Sequence, residues 1–239
     1  MNKEDFIKEL NNLGINPKDK QLELLDEYYH ELVEYNKHTN LTAITDEKDV
    51  YYKHFYDSLT LTKIIDLNNQ ETLVDIGSGA GFPGVVLKIF YPNLNITLID
   101  SNNKKTKFLE YIINKLELKD INAINDRVEN YSKNNLNGFD VVTARAVTNL
   151  PVLVELSMPL VKVNKFFIAL KGDASEEIEN SIDAINIMHG IIDNTLTFEL
   201  PYGYGTRTII SIRKNKNTTL DELRSYDKII KKPLQKAHK

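Results

Sequence analysis

From residue 72 onward the chain changes its period. Short apolar runs rich in Val, Ile and Phe fall at 72–76, 95–100, 121–125, 139–145 and 165–171. Helical stretches at about 83–91, 103–118, 127–132, 149–162 and 174–188 separate them. Strands that alternate with helices specify βαβ units, hence a parallel sheet with helices on both faces. The alternation then stops, because runs at 194–200 and 206–214 are joined by "YGYG", which reads as an antiparallel hairpin. The expected fold class is therefore α/β and Rossmann-like, a mostly parallel seven-stranded sheet ending in an antiparallel hairpin.

Three helical patterns precede the first strand. Phe6, Ile7, Leu10 and Leu13 share a helical spacing that Gly14 ends. Leu22, Leu25, Tyr29 and Leu32 mark a second helix after Asn16-Pro17, and a third is expected over about 46–66. The expected organisation is a helical extension over 1–66, the α/β domain over 67–214 and a basic tail over 215–239. From Arg213 onward nine Lys/Arg face three Asp/Glu, so +6 in this stretch leaves −10 for the rest of a chain whose net charge is −4. A basic end on an acidic body marks either contact with nucleic acid or a solvated terminus, and the sequence weighs the two equally. No apolar run approaches the ~18 residues of a membrane span, and the opening MNKEDFIKEL has no apolar h-region, so a cytoplasmic protein is expected. With Cys at 0, disulfides, thiolate metal sites and cysteine nucleophiles are excluded.

The segment "TLVDIGSGAGFPGVVLKI", 72–89, carries most of the chemistry. Gly79-Ala-Gly81-Phe-Pro-Gly84 matches the dinucleotide fingerprint G-x-G-x-x-G. Two features count against a dinucleotide. The strand ends in Asp75, a carboxylate that would repel a pyrophosphate on a loop suited to anions. Pro83 also removes one donor at the helix start. A cationic ligand without phosphates fits better, and S-adenosylmethionine, with its sulfonium and α-ammonium groups, is the cofactor expected on an acidic, glycine-lined floor. Asp100, ending the second strand in "NITLID", can accept from ribose hydroxyls, as it could for either cofactor.

The remaining motifs bear on the acceptor. The fourth strand, "FDVVTARAV", lacks an N-P-P-Y type of motif for exocyclic amines, and without cysteine attack on a pyrimidine carbon is out. A ring nitrogen such as guanine N7 needs mainly positioning and electrostatic support, although this narrowing does not single it out. Arg145 can hold the cofactor carboxylate or a base edge, with a structural ion pair as the alternative. Lys171 in "IALKG" can meet phosphate or be solvated. Glu129 in "RVE" stands where the adenine end of such a cofactor would lie, or is a first-turn acid favoured by the helix dipole. His54 and Asp57 in "HFYDSL", three apart on a helix, are too few for a metal site and read as a local polar pair.

Taken together and in order, "NLTAI", "HFYDSL", "VDIGSGAGFPG", "LIDS", "RVE", "ARAV" and "ALKG" resemble the RsmG (GidB) family of bacterial small-subunit rRNA guanine-N7 methyltransferases, over about residues 36–214. The resemblance implies a class I SAM-dependent methyltransferase fold with an N-terminal helical extension. It implies S-adenosylmethionine as donor, with no metal, and a guanosine in the 530 loop of 16S rRNA as acceptor. The implied partner is 16S rRNA or the small ribosomal subunit; no membrane or DNA partner is expected, and a monomer is expected, although the sequence does not give the oligomeric state. Carried over by motif, Gly77, Phe82, Asp100, Ser101, Asn102, Val128, Glu129 and Arg145 contact the cofactor; Asp75 and Gly79 join them by the physical argument above. No catalytic base comes with the resemblance, in keeping with an N7 that has no proton to lose. The tail "LRSYDKIIKKPLQKAHK" keeps the charge but little of the family's Pro- and Lys/Arg-rich pattern, and "KVNKFF" lacks a glycine pair before the fifth strand. The competing expectations are a methyltransferase for a small molecule or protein, an NAD-binding oxidoreductase, and a non-catalytic RNA-binding protein. The last would be expected to lose the acids and glycines that this sequence keeps.

Overall fold

A computed structural model describes residues 2–234. Helices α1 (Lys3–Asn12) and α2 (Asp19–Thr39) come first. The third helical stretch is a composite. It begins as α3 (Glu47–Val50), widens into a π-helical turn over Tyr51–Tyr56, returns to α-helix as α4 (Asp57–Leu59) and tightens to 3-10 over Thr60–Lys63. The sequence pattern predicts one helix over about 46–66, because the apolar spacing of YYKHFY is compatible with an α-helix and carries no mark of a π-turn.

The α/β part then runs β1 (Thr72–Ile76), α5 (Gly84–Phe90), β2 (Asn95–Asp100), α6 (Asn103–Lys115), β3 (Ile121–Asn125) and α7 (Val128–Tyr131). It continues with β4 (Phe139–Arg145), α8 (Leu150–Ser157), β5 (Val161–Lys171), α9 (Ser175–Ile187), β6 (Gly190–Glu199) and β7 (Thr206–Lys214), and closes with α10 (Tyr226–Lys231). Among the described residues the strands form one sheet in the order β3-β2-β1-β4-β5-β7-β6. All pairings are parallel except those of β7, which runs antiparallel to both β5 and β6. The expected fold class is thus the observed one. Strand β5 begins earlier than the sequence pattern suggests, with a register shift against β4. Within it Asn164 takes φ +63°, so an asparagine adopts the left-handed conformation that the missing glycines of "KVNKFF" would have supplied.

Strand alternation divides the interior into two layers. Leu73 and Val141 face a core shared with Phe6, Leu25, Tyr28, Val85 and Phe108, whereas Val74, Val142 and Ala144 face a second core with Leu153, Leu156 and Ile185. The N-terminal helices share the first core with α5 and α6. At the other end, residues 215–234 of the basic segment lie against the domain, and Ile229 of α10 is buried in the second core. Residues 235–239 of that segment lie outside the described residues. Among the described residues no helix is long and apolar enough to cross a membrane.

Two cavities at the carboxyl ends of the strands

Strand order reverses between β1 and β4, and the loops leaving those two strands open a crevice, the usual place for a ligand in such sheets. The glycine loop after β1 is held from below and from the side. From below, Asp75 is fully buried; its Oδ2 accepts from Gly84 N–H at 3.0 Å, and its Oδ1 has no partner among the described residues. Burial pushes this carboxyl up to about 7, against the pull of the Gly84 and Ser78 hydrogen bonds and of Arg145. Gly84 must be glycine, because a Cβ there would meet Leu98 Cδ2 at 2.2 Å and Asp75 Oδ2 at 2.9 Å. From the side, Asp100 at the end of β2 accepts from Gly79 N–H at 2.9 Å and from Asn102 N–H at 2.8 Å. One carboxylate thereby ties the loop after β1 to the turn after β2.

These restraints leave a cavity of ≈ 340 Å³, within the range of small-molecule sites. Gly77, Asp100, Ser101, Val128 and Glu129 line it. The other candidates stand elsewhere. Asp75 lies beneath the loop and Gly79 binds Asp100 through its amide. Asn102 caps α6, its Oδ1 accepting from Lys104 N–H and Lys105 N–H. Phe82 is buried beside the loop, its ring stacked on His54 at 4.4 Å and on Tyr28 at 5.5 Å. Tyr28 of α2 also donates its hydroxyl hydrogen to Ala80 O, so the N-terminal helices buttress the glycine loop directly.

Arg145 lines a different cavity, of ≈ 300 Å³, together with Lys53, His54, Asp57, Lys171 and Arg207. Its Nη1 donates to Asp57 Oδ2 at 3.0 Å and to Lys53 O at 3.1 Å, and its Nη2 lies 3.2 Å from His54 Nδ1. A guanidinium can only donate, so Nδ1 accepts and the ring proton resides on Nε2, directed at Thr42 Oγ1 3.2 Å away. Burial, and then the Arg145 charge, lower the His54 pKa to about 3, so the ring is neutral. Arg207 Nε donates to the other Asp57 oxygen at 2.9 Å. The expected local pair of His54 and Asp57 is thus a network in which both serve Arg145, and the ion-pair alternative for Arg145 is realised. Lys171 is not solvated: Nζ donates to Thr148 O at 2.9 Å and pairs with Glu177 Oε2 at 2.8 Å. Lys53 also pairs with Asp49 Oδ2 at 2.7 Å, so three carboxylates, Asp49, Asp57 and Glu177, meet the four cations Lys53, Arg145, Lys171 and Arg207 and leave this cavity cationic by one charge.

Ala146 belongs to both cavities. It sits directly after β4 at φ +55°, a conformation costly for alanine and frequent at functional sites. The turn brings Val147 over Gly77, where a Cβ at φ +65° would stand 2.6 Å from Val147 Cγ2. Sequence reasoning missed Ala146, although it lies in the quoted "ARAV". It also missed Arg127, present in "RVE", and Tyr226 and Ile230 of α10, which border the first cavity and carry no motif. Among the described residues no cluster of three or more His, Asp or Glu is arranged to hold a metal ion.

A model of the GidB family, rRNA small subunit methyltransferase G, matches residues 21–201. The ribosomal RNA small subunit methyltransferase G of Oceanobacillus iheyensis is 46% identical over 221 residues, covering 91% of this chain and 93% of its own. The Bacillus subtilis protein of the same name is 44% identical over 221 residues, covering 91% and 92%. Among solved structures, precorrin-6y C5,15-methyltransferase of Geobacter metallireducens superposes with a TM-score of 0.52 at 13% identity, over 66% of this chain and 87% of that one, a likeness of fold.

Proposed function

Because the chain belongs to the GidB family of rRNA small subunit methyltransferases, we propose that it transfers a methyl group from S-adenosylmethionine to N7 of a guanosine in the 530 loop of 16S rRNA. The observation that carries the reading is the pair of cavities meeting at Ala146, one acidic at its floor and one cationic. A transfer enzyme needs donor and acceptor side by side, and one backbone turn borders both.

The first cavity suits the donor. Gly77 lines the cavity at φ +65°, and the room its missing side chain leaves is taken by Val147, so the loops after β1 and β4 close on each other beside the ligand space. Asp100 lines the cavity with both oxygens already oriented by backbone amides, so its free lone pairs can accept from ribose hydroxyls without rearrangement. Gly77, Asp100, Ser101, Val128 and Glu129 would hold the cofactor, which when bound supplies a methyl group on a cationic sulfur. Asp75 and Gly79 act by shaping the loop. The second cavity suits the acceptor nucleotide, whose phosphate and guanine oxygen would meet Lys171, Arg207 and Arg145. No proton leaves N7 on methylation, and no base is poised there: the His54 Nδ1 lone pair is already engaged by Arg145. The chain's contribution is to position the base, exclude water and balance charge.

Incubating the protein with tritiated S-adenosylmethionine and small subunits from a strain lacking the enzyme, then mapping modified guanosines, tests the reading. N7-methylguanosine at one 530-loop position is expected. Label on protein or metabolites alone would refute the acceptor assignment.

A further inference from the structure

The first cavity has an outer wall that the βαβ core does not supply. Its apolar side is built by Val128 of α7, Val152 and Leu156 of α8, and Tyr226 and Ile230 of α10. Tyr226 and Ile230 are 37% and 43% exposed, large apolar side chains left open beside a cavity. The segment bearing them is fastened at several points. Ile229, between them, is buried in the second core. Arg224 pairs through Nε and Nη2 with the buried Glu155 of α8, Nη2 to Oε2 at 2.7 Å, and also donates to Lys232 O at 2.8 Å. The Arg127 guanidinium, on the lip of the same cavity, lies 4.5 Å from the centre of the Tyr226 ring. Thus α8 both lines the cavity and anchors the segment that closes it.

We propose that the C-terminal segment is part of the cofactor site, with Tyr226 and Ile230 forming the wall against which the adenine of S-adenosylmethionine packs. The inference rests on the reading that this cavity holds that cofactor. Its chemistry follows from the lining. Asp100 and Ser101 mark the polar end that suits ribose, while beyond β3 the apolar faces of Val128, Tyr226 and Ile230 stand beside Asp126, Arg127 and Glu129, a mix that suits a flat, uncharged heterocycle with hydrogen-bonding edges. Burying the exposed faces of Tyr226 and Ile230 under the base gives the cofactor affinity that the glycine loop alone does not provide.

The test is calorimetric titration of the full chain and of Tyr226→Ala, Ile230→Ser and Tyr226→Phe with S-adenosylmethionine and, separately, with adenosine. Thermal unfolding of each is followed without ligand. Truncating one apolar wall residue should weaken both ligands about tenfold, since side-chain burial of this size carries that much free energy. Tyr226→Phe should bind like the parent, and the half-exposed position should leave the ligand-free melting temperature unchanged. Binding of both ligands within twofold of the parent in Tyr226→Ala and Ile230→Ser would overturn the proposal, as would a loss for S-adenosylmethionine without one for adenosine. A parent chain that binds no S-adenosylmethionine would instead refute the cofactor reading on which the inference rests.

Discussion

Asp57 is the residue whose loss tests the second cavity most directly. It is 3% exposed, and its two carboxylate oxygens take Arg145 Nη1 at 3.0 Å and Arg207 Nε at 2.9 Å. The substitution Asp57→Asn keeps the shape and removes the charge, stranding two guanidinium groups that are themselves only 12% and 24% exposed. Breaking a buried pair by removing one partner costs roughly 3–5 kcal/mol, because the remaining charge has lost its compensation in a poorly solvated place. Arg145 would keep Lys53 O and His54 Nδ1, and Arg207 would keep Thr206 O at 2.9 Å, so the lower end applies, about 3 kcal/mol. For a chain of this length that lowers the melting temperature by about 6–12 °C. Urea unfolding at neutral pH, followed by circular dichroism, reads the difference. The double variant Asp57→Asn/Arg207→Met should recover part of the loss, since removing the second charge removes part of the stranding. A loss below about 1 kcal/mol, the range of exposed pairs, would show that water reaches the network and would refute the argument.

Three further outcomes are expected. The Asp75 carboxyl titrates near 7 in the fold and near 3.8 when unfolded, so the folded chain holds this proton more tightly between those values. Its contribution to stability therefore falls as pH rises from about 4 to about 7, and Asp75→Asn should remove a slope of at most about 1.4 kcal/mol per pH unit, read as the pH dependence of the urea midpoint. Gly77→Ala places a methyl group 2.6 Å from Val147 Cγ2 at φ +65° and should cost about 2 kcal/mol in unfolding experiments while abolishing S-adenosylmethionine binding in calorimetry. Tyr28→Phe leaves Ala80 O without its donor in a buried place and should cost about 1–3 kcal/mol by urea titration, with a weaker cofactor affinity as the glycine loop loosens.

What the sequence discloses and what it withholds follow the range of the interactions. Gly77, Asp100 and Glu129 are legible because each sits at a fixed offset from a strand end, and the alternation of strands and helices fixes where those ends meet. The Arg145 network is not legible. Its members lie 88 and 150 residues apart along the chain, and only the packing of the composite helix against β4 and β7 brings them together. Asp75 is legible on its strand but its depth is not: period-two alternation puts Leu73 and Asp75 on the same face, toward the N-terminal helices, whereas the first cavity opens beside Gly77. The wall on α10 was hidden by composition, since a segment rich in lysine gives no sign of the single buried isoleucine that pins it.

The π-helical turn at Tyr51–Tyr56 carries a consequence for how this helix works. A π-turn holds one residue more than the α-turn it replaces, so everything after it is rotated by about 100° relative to an uninterrupted helix. Tyr51, Tyr52 and Phe55 stay seated in the first core, while Asp57, just past the turn, faces the two arginines. The azimuth of the carboxylate is thereby uncoupled from that of the hydrophobic stripe before it. With the inserted residue, one segment both buries its aromatics in the first core and aims its acid at the arginines.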